Sequence, residues 1–265
     1  MVNVSDLSIK SLETIMAYDL AVNGGAFRFM LDELQSATIA NSQENTNLTG
    51  RGGSTIGVLK RNKSVTISGA NGMISVGLAS AEVGAEVTDG NAVVRTPDYL
   101  TVASNEATTT FTAVGTAGNE IGEVFVKDVN GMVTNILEQD ASAAEGKFAY
   151  NPTTKKITFN SGDLADNTEI VVYYDRQVSA SAILENIASN YSDTLAIYVD
   201  AIAEDKCGKE YHVQFYLPKV DFQGNFEIAM GDSQTVHNFE ATSSAIGCGT
   251  ANSKFWTLTV FGDDE

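Results

Sequence analysis

The chain is 265 residues long, 43% hydrophobic, and carries a formal charge of -18 with an isoelectric point near 4.3. Such a length and apolar content can fill the core of one large all-β domain or of two smaller ones, and the shortage of Lys and Arg excludes nucleic-acid binding by phosphate neutralisation. No run of roughly 18 or more apolar residues occurs, and Met1-Val-Asn-Val-Ser-Asp6 is not a charged-then-apolar leader, so a soluble protein without a membrane partner is expected.

Leu12 to Val22 and Ala26 to Leu34 flank the glycine-rich turn Asn23-Gly24-Gly25, which predicts a β-hairpin. Gln35 to Gly53 is polar, rich in Asn, Ser, Thr and Gly, and nearly without apolar residues after Ile39. Inside a compact domain such a stretch is expected to be disordered, or to become ordered on a partner. Ser54 to Lys60 and Lys63 to Ser68 read as a second hairpin turning at Arg61-Asn62. Ile74 to Val87 is expected to begin as strand and turn helical from about Leu78, where Ala and Gly allow close packing on a sheet. Residues 1–88 are close to neutral, and four of their six bases, Arg51, Lys60, Arg61 and Lys63, fall within thirteen residues. These are either a solvated strand face or a basic rim that meets the acidic surface of another copy.

Residues 89–177 change character. Val93 to Val102, Thr108 to Val114, Gly122 to Val129, Met132 to Leu137, Lys147 to Tyr150, Lys156 to Asn160 and Thr168 to Asp175 are short β runs separated by Gly, Asn, Asp and Pro. This spacing predicts a small β-sandwich of Ig-like architecture, without the cysteine pair and core Trp of antibody domains. The expected organisation is a discontinuous domain, 1–88 with 178–265, interrupted by an inserted domain at 89–177. From Ser179 onward, Ile183, Leu184, Ile187, Ala188 and Tyr191 lie at helical spacing behind a serine N-cap, which predicts one amphipathic helix.

Leu195, Ile197, Val199 and Ala201 predict the next strand, and the rest of the chain reads as antiparallel strands at 211–217, 222–230, 233–241 and 255–261. Val220, Phe222, Phe226, Ile228 and Met230 share one parity and are expected in the core. Asp221, Gln223, Asn225 and Glu227 share the other and are expected to face water or a partner. In the last strand apolar residues lie on both sides, so both of its faces are expected to be covered.

Groups able to carry catalysis are scarce. His212 and His237 are the only histidines, each in a predicted strand, where a satisfied or exposed polar role is expected rather than that of a base. No nucleophile elbow, HExxH, phosphate loop or dinucleotide fingerprint is present. Asp128-Val-Asn130-Gly131 lacks the later ligands of a calcium loop and reads as a hairpin turn, while Gly262-Asp-Asp-Glu265 reads as a frayed tail. The acid pairs Glu204/Asp205 and Asp163/Asp166 are expected in turns. Cys207 and Cys248 fit neither a disulfide framework nor a metal site and are expected as free thiols. No catalytic residue, metal ligand or cofactor is therefore assigned, and the chain is expected not to be an enzyme.

The Asn23-Gly-Gly25 hairpin with Leu31-Asp-Glu-Leu34, the polar 35–53 stretch, Lys60 to Gly72, and Gly231 to Ala241 with Trp256-Thr-Leu-Thr-Val260 resemble tail tube (major tail) proteins of tailed bacteriophages. Lys147 to Asp163 and Thr168 to Tyr174 resemble segments of phage virion proteins. The resemblance implies a mainly β fold, an antiparallel sandwich or barrel-forming domain with a flanking α-helix, assembled as hexameric rings stacked into a virion tail tube. Such a subunit would be made in the bacterial host cytoplasm and would contact other tail proteins. Double-stranded DNA would pass through without tight binding, because an acidic lumen repels phosphate. In that setting Gln43, Glu44, Asn45, Thr46, Asn47, Leu48 and Thr49 are the expected inter-ring arm, and Arg51, Lys60, Arg61 and Lys63 the basic assembly rim. Asp221, Gln223, Asn225 and Glu227 are the expected channel lining. The alternatives are another virion component, such as a head-decoration or capsid protein, and a carbohydrate-binding β-sandwich in which Tyr150, Tyr173 and Tyr174 face a glycan.

Overall fold

The computed structural model describes residues 6–20, 25–230, 235–245 and 253–262. The chain divides into two compact units, Met1–Val87 with Leu184–Glu265, and Thr88–Ile183. Both are mainly antiparallel β, with a sheet curled into a half-barrel. The first unit begins with β1 (Leu7–Asp19), β2 (Phe27–Leu31), β3 (Leu34–Thr49), β4 (Thr55–Asn71) and helix α1 (Val76–Val83). The second holds β5 (Thr88–Thr101), β6 (Glu106–Thr108), β7 (Glu123–Lys127), β8 (Val133–Gln139), β9 (Lys147–Asn151), β10 (Lys156–Phe159) and β11 (Glu169–Ile183). The first unit then resumes with β12 (Thr194–Asp205), β13 (Glu210–Phe222), β14 (Glu227–Ala229), β15 (Val236–Ser243) and β16 (Thr257–Phe261).

In the first unit the strands run in the order β2-β1-β12-β13-β15-β4-β3, with β14 on β15 and β16 on β13. Period-2 alternation builds its core. Ile15 and Ala17 of β1, and Leu195, Ile197, Val199, Ala201 and Ala203 of β12, are buried, while Met16, Tyr18, Tyr198 and Asp200 turn to the other face. Leu31, Ile67, Val220, Phe222 and Phe239 complete the cluster, each buried side chain contributing about 1.5–3 kcal/mol. Phe239 lies over Gly69, where a Cβ would stand 2.7 Å from its ring and 2.6 Å from the Ser36 carbonyl oxygen.

Helix α1 covers this core with Leu78 and Ala81. Its N-cap is Ser75, whose Oγ accepts from Leu78 N–H at 3.2 Å. Its end is Gly84 in the left-handed region, φ 63°. A Cβ there would stand 1.7 Å from the Tyr191 carbonyl oxygen. Gly84→Ala is therefore expected to destabilise this unit by at least about 1–2 kcal/mol, the conformational cost alone. Urea unfolding followed by the fluorescence of Trp256, the only tryptophan of the chain, checks it, since that ring packs 5.8 Å from Phe215.

A buried polar couple fastens α1 to the sheet. His237 of β15 and Glu82 of α1 meet at 2.9 Å, with side chains 0% and 2% exposed. Ser75 N–H donates to His237 Nδ1 at 3.3 Å, so the neutral ring carries its proton on Nε2 and donates it to the Glu82 carboxylate. Burial pushes the Glu82 pKa up, the His237 hydrogen bond pulls it back, and the net position is above the ordinary glutamate range.

In the second unit the order is β5-β11-β7-β8-β9-β10-β6, antiparallel except for a short parallel pairing of β8 with β9. Its own core includes Val124, Val126, Leu137, Phe148, Ile157, Ile170, Val172 and Tyr174.

Several expectations are corrected. Residues 35–49, expected to lack order, form β3, which finds all its ladder partners on β4. Arg61-Asn62 is not a hairpin turn but lies inside β4. The helix expected from Ser179 is absent: β11 continues to Ile183 in register with β5, and 184–193 is irregular. Asn190 donates there to the Gly84 carbonyl and Ser192 to that of Phe222, and Ile187 and Tyr191 stay exposed instead of packing as a stripe. The strand expected at 222–230 is broken after Phe222 by a turn with Gly224 at φ 64°. Met230, assigned to the core, is 84% exposed. In β16, which among the described residues pairs with β13 alone, Leu258 and Phe261 are exposed rather than covered. Finally, Thr109 to Val114 is irregular rather than strand, its N–H groups at Phe111 and Ala113 donating to the hydroxyls of Tyr174 and Tyr150 at 3.0 and 2.9 Å.

Candidate assembly surfaces

From Asn41 to Ser64, β3, its turn and β4 form a ribbon in which every residue is exposed except the half-buried Gly50 and Gly57. The ribbon bears a β-bulge: Ser42 pairs with Ser64 but Glu44 with Arg61, leaving one residue opposite two. Asn62 absorbs the extra residue at φ 52°, and its amide donates to Glu44 at 2.5 Å. Asn is one of the few residues that tolerates this conformation. A two-stranded ribbon wet on both faces is marginal by itself, yet this one carries Leu48, Ile56, Val58 and Leu59 in solvent, Ile56 at 72% exposure.

The expected arm residues Gln43, Glu44, Asn45, Thr46, Asn47, Leu48 and Thr49 all lie on the β3 side of this ribbon. Arg51 sits in the tip, Lys60 and Arg61 on the β4 side, and Lys63 beside the bulge, 5.5 Å over the Phe255 ring. The four bases thus share one projection with a single acid, Glu44, on a chain whose net charge is -18. Beyond the ribbon, β3 is one edge of the sheet and β2 the other, and β2 covers β1 only from Ile15 to Tyr18. Among the described residues both edges therefore present ladder groups open to another strand.

The sheet face opposite the core is ordered by register into polar rows. Thr14, Asp200, Gln214 and Thr259 stand side by side, as do Ser8, Glu204 and Glu210. Asp200 accepts from Gln214 at 2.8 Å and Thr14 at 3.3 Å. Between these rows and Asp221 lies an aromatic group, Tyr198 stacked on Tyr216 at 4.6 Å with Tyr18 edge-on at 5.7 Å.

Of the expected channel residues, Asp221 belongs to this face, accepting from Thr194 and Ser244 hydroxyls at 2.5 and 2.6 Å. Burial pushes its pKa up, but these hydroxyls and Lys219 more than offset that, so it sits below the usual carboxylate range. Gln223, past the strand, donates to Thr242 at 2.8 Å. Asn225 and Glu227 border an open groove of about 660 Å³ with Ser36, Thr38, Ser68 and Glu240. Asp200 and Glu210 were missed by the sequence reading, although the alternation of 195–203 contains the signal for the first, and Glu204, expected in a turn, stands instead in β12 opposite Glu210.

The remaining sequence candidates take structural roles. Asp128 closes the β7–β8 turn, its carboxylate accepting from Asn130 and Met132 N–H. Asp163, Asp166 and Asp205 accept from the N–H groups of Gly146, Ser104 and Lys209. Cys207 is an exposed free thiol; Cys248 and residues 263–265 lie outside the described residues. Among the described residues there is no group of three or more His, Cys, Asp or Glu side chains able to hold a metal ion, and no helix long and apolar enough to cross a membrane.

No curated protein matches the chain. The profile of the YomU/Tube protein family does, over residues 8–257. That span takes in β1 to β15 and both compact units, and the chain belongs to this family of phage tail tube proteins.

Proposed function

We propose that the protein is the non-enzymatic tail tube subunit of a bacteriophage virion, that its copies close into hexameric rings, and that the rings stack around an acidic channel through which double-stranded DNA passes. The observation that carries this reading is the long ribbon, wet on both faces, apolar at Ile56, Val58 and Leu59, and basic on an otherwise acidic chain. A cationic projection from an anionic body favours another copy of the same body as its partner. Residues 43–49 are the inter-ring arm and Arg51, Lys60, Arg61 and Lys63 the rim that reads the neighbour's acids. Contacts that close by rotation give the ring, and axial contacts that do not close give the tube. The open edges at β2 and β3 supply the lateral joins. The channel face is the one bearing Asp221 with Asp200, Glu204 and Glu210, whose charge keeps phosphate from settling; Gln223, Asn225 and Glu227 extend it at the end of β13. Residues 88–183 are an inserted domain, and other tail proteins cap the tube.

Negative-stain microscopy of the purified protein is expected to show rings or tubes. With Lys60→Glu and Arg61→Glu together, tubes are expected to shorten or vanish in low salt while the fold persists. A strict monomer at high concentration, or charge-reversed tubes as long as wild type, would overturn the reading.

A further inference from the structure

We infer that the Thr88–Ile183 unit binds a neutral saccharide chain in a cleft on the outer face of its sheet. This goes beyond tube formation and is independent of it, since a chain can build tubes and bind no sugar. Along β11, Ile170, Val172 and Tyr174 enter the core, so Val171 and Tyr173 turn to the opposite face. Register places Tyr99 and Phe125 on either side of Val171, and Ile136 beyond Phe125. A wet sheet face would be polar here; instead Val171 is only 4% exposed, while Tyr173 at 39% and Tyr99 at 69% offer their rings to solvent. Tyr173 and Phe125 meet edge to face at 6.0 Å. The other two tyrosines of the sequence reading, Tyr150 and Tyr174, are buried and committed to backbone N–H groups.

Beside the Tyr173 and Phe125 rings opens a cleft of about 470 Å³ that also bears Arg95, Asn119, Glu123 and Glu138, a size ordinary for small-ligand sites of about 300–1,000 Å³. Glu123 and Glu138 are direct cross-strand partners, a like-charge pairing that costs stability. Neither carboxylate has a hydrogen bond or a close ion pair among the described residues, although Glu138 stands in register with Lys147 and its charge acts on that ammonium. The mixture selects the ligand. An anion would meet two carboxylates, a cation would meet the Arg95 guanidinium, and an apolar ligand would strip water from four polar groups without replacing it. A pyranose presents a C–H face to an aromatic ring and hydroxyls that both donate and accept at its edge, so it satisfies acceptors at Glu123 and Glu138 and donors at Arg95 and Asn119 together.

The test is calorimetric titration of the full chain with cellohexaose, maltohexaose and hexa-N-acetylchitohexaose, with an oligogalacturonate and spermine as charged counter-probes. At least one neutral hexasaccharide is expected to bind, with Tyr173→Ala and the double variant Glu123→Gln, Glu138→Gln each weakening it about ten-fold or more. The double variant relieves that repulsion but also removes the charge facing Lys147, so its fold is checked by far-ultraviolet circular dichroism before titration. Tyr173→Phe, which keeps the ring, is expected to bind within roughly three-fold of wild type. The inference is overturned if no neutral probe binds at roughly 10 mM, if only a charged probe binds, or if the folded variants bind like wild type.

Discussion

Replacing Glu82 by Ala is expected to destabilise the first unit by about 1–3 kcal/mol, because the Nε2–H of the neutral His237 ring is then left buried without its acceptor. In a two-state unit of this size that is roughly 2–12 °C in Tm, read from Trp256 fluorescence. His237→Ala is expected to cost a similar amount, and the double variant clearly less than the sum, since both single changes break one couple. A loss under about 1 kcal/mol in either single variant would show that the couple does not hold α1 on the sheet. The pH dependence has a definite sign. The Glu82 pKa is raised in the folded chain, so its contribution is complete below the ordinary glutamate range and is lost as pH rises through the raised value. Asp205, held low by the N–H groups of Lys209 and Cys207, and Asp221 act oppositely. Their contributions are present above the ordinary aspartate range and are lost as pH falls through the lowered values. In Glu82→Gln the decline on the alkaline side of the glutamate range is expected to disappear while the acid limb remains.

Cutting the ribbon back to the Ser42–Ser64 pair, with residues 43–63 replaced by an Asn-Gly turn, is expected to abolish tube growth completely and to leave the unfolding transition near its original position. No buried side chain is removed, because the deleted residues are exposed apart from two half-buried glycines. The bond from Trp256 Nε1 to Asn41, 3.2 Å, lies below the cut. Both strands must go: removing 43–49 alone would strip β4 of its partner from Thr55 to Arg61. Sedimentation and microscopy give the readout, and tubes of normal length from the shortened chain would remove the ribbon from the assembly mechanism.

What the sequence disclosed follows from where side chains alternate against a core. The strand at 195–203 was legible because Leu195, Ile197, Val199 and Ala201 alternate with Ala196, Tyr198, Asp200 and Ile202; α1 was legible only from about Leu78, and the strand expected to open 74–87 is absent, because Ser75 caps the helix and starts it at Val76. β3 was illegible for the same physical reason reversed: with no buried side beyond Ile39 there is no alternation to see, and its order comes from backbone hydrogen bonds to β4, which composition does not encode. The helical spacing of 183–191 misled because spacing states only that a stripe is possible, not that anything covers it. Asn62 misled because the left-handed φ it accepts serves a bulge as readily as a turn. At the sites, Tyr150 and Tyr174, set facing a glycan only under the alternative carbohydrate-binding reading, are buried, and the irregular 109–114 segment uses their hydroxyls, whereas the exposed Tyr99 gave no sequence sign of standing across β11 from Phe125.

That bulge also sets the phase of the outer ribbon from Glu44 to Leu48, before the ladder shifts again between Leu48 and Thr49. With the surplus residue taken up at Asn62, Arg61 and Leu59 stand on the side of Glu44 and Thr46, while Lys60 and Val58 stand with Asn45 and Asn47. Were Asn62 drawn into the ladder as an ordinary rung, everything on β4 from there towards the tip would slip by one and trade sides. A β-branched residue at 62, unable to hold φ 52° cheaply, favours that slipped ladder. A single backbone torsion thus decides which charges and which apolar groups the ribbon shows to each side, with its composition unchanged.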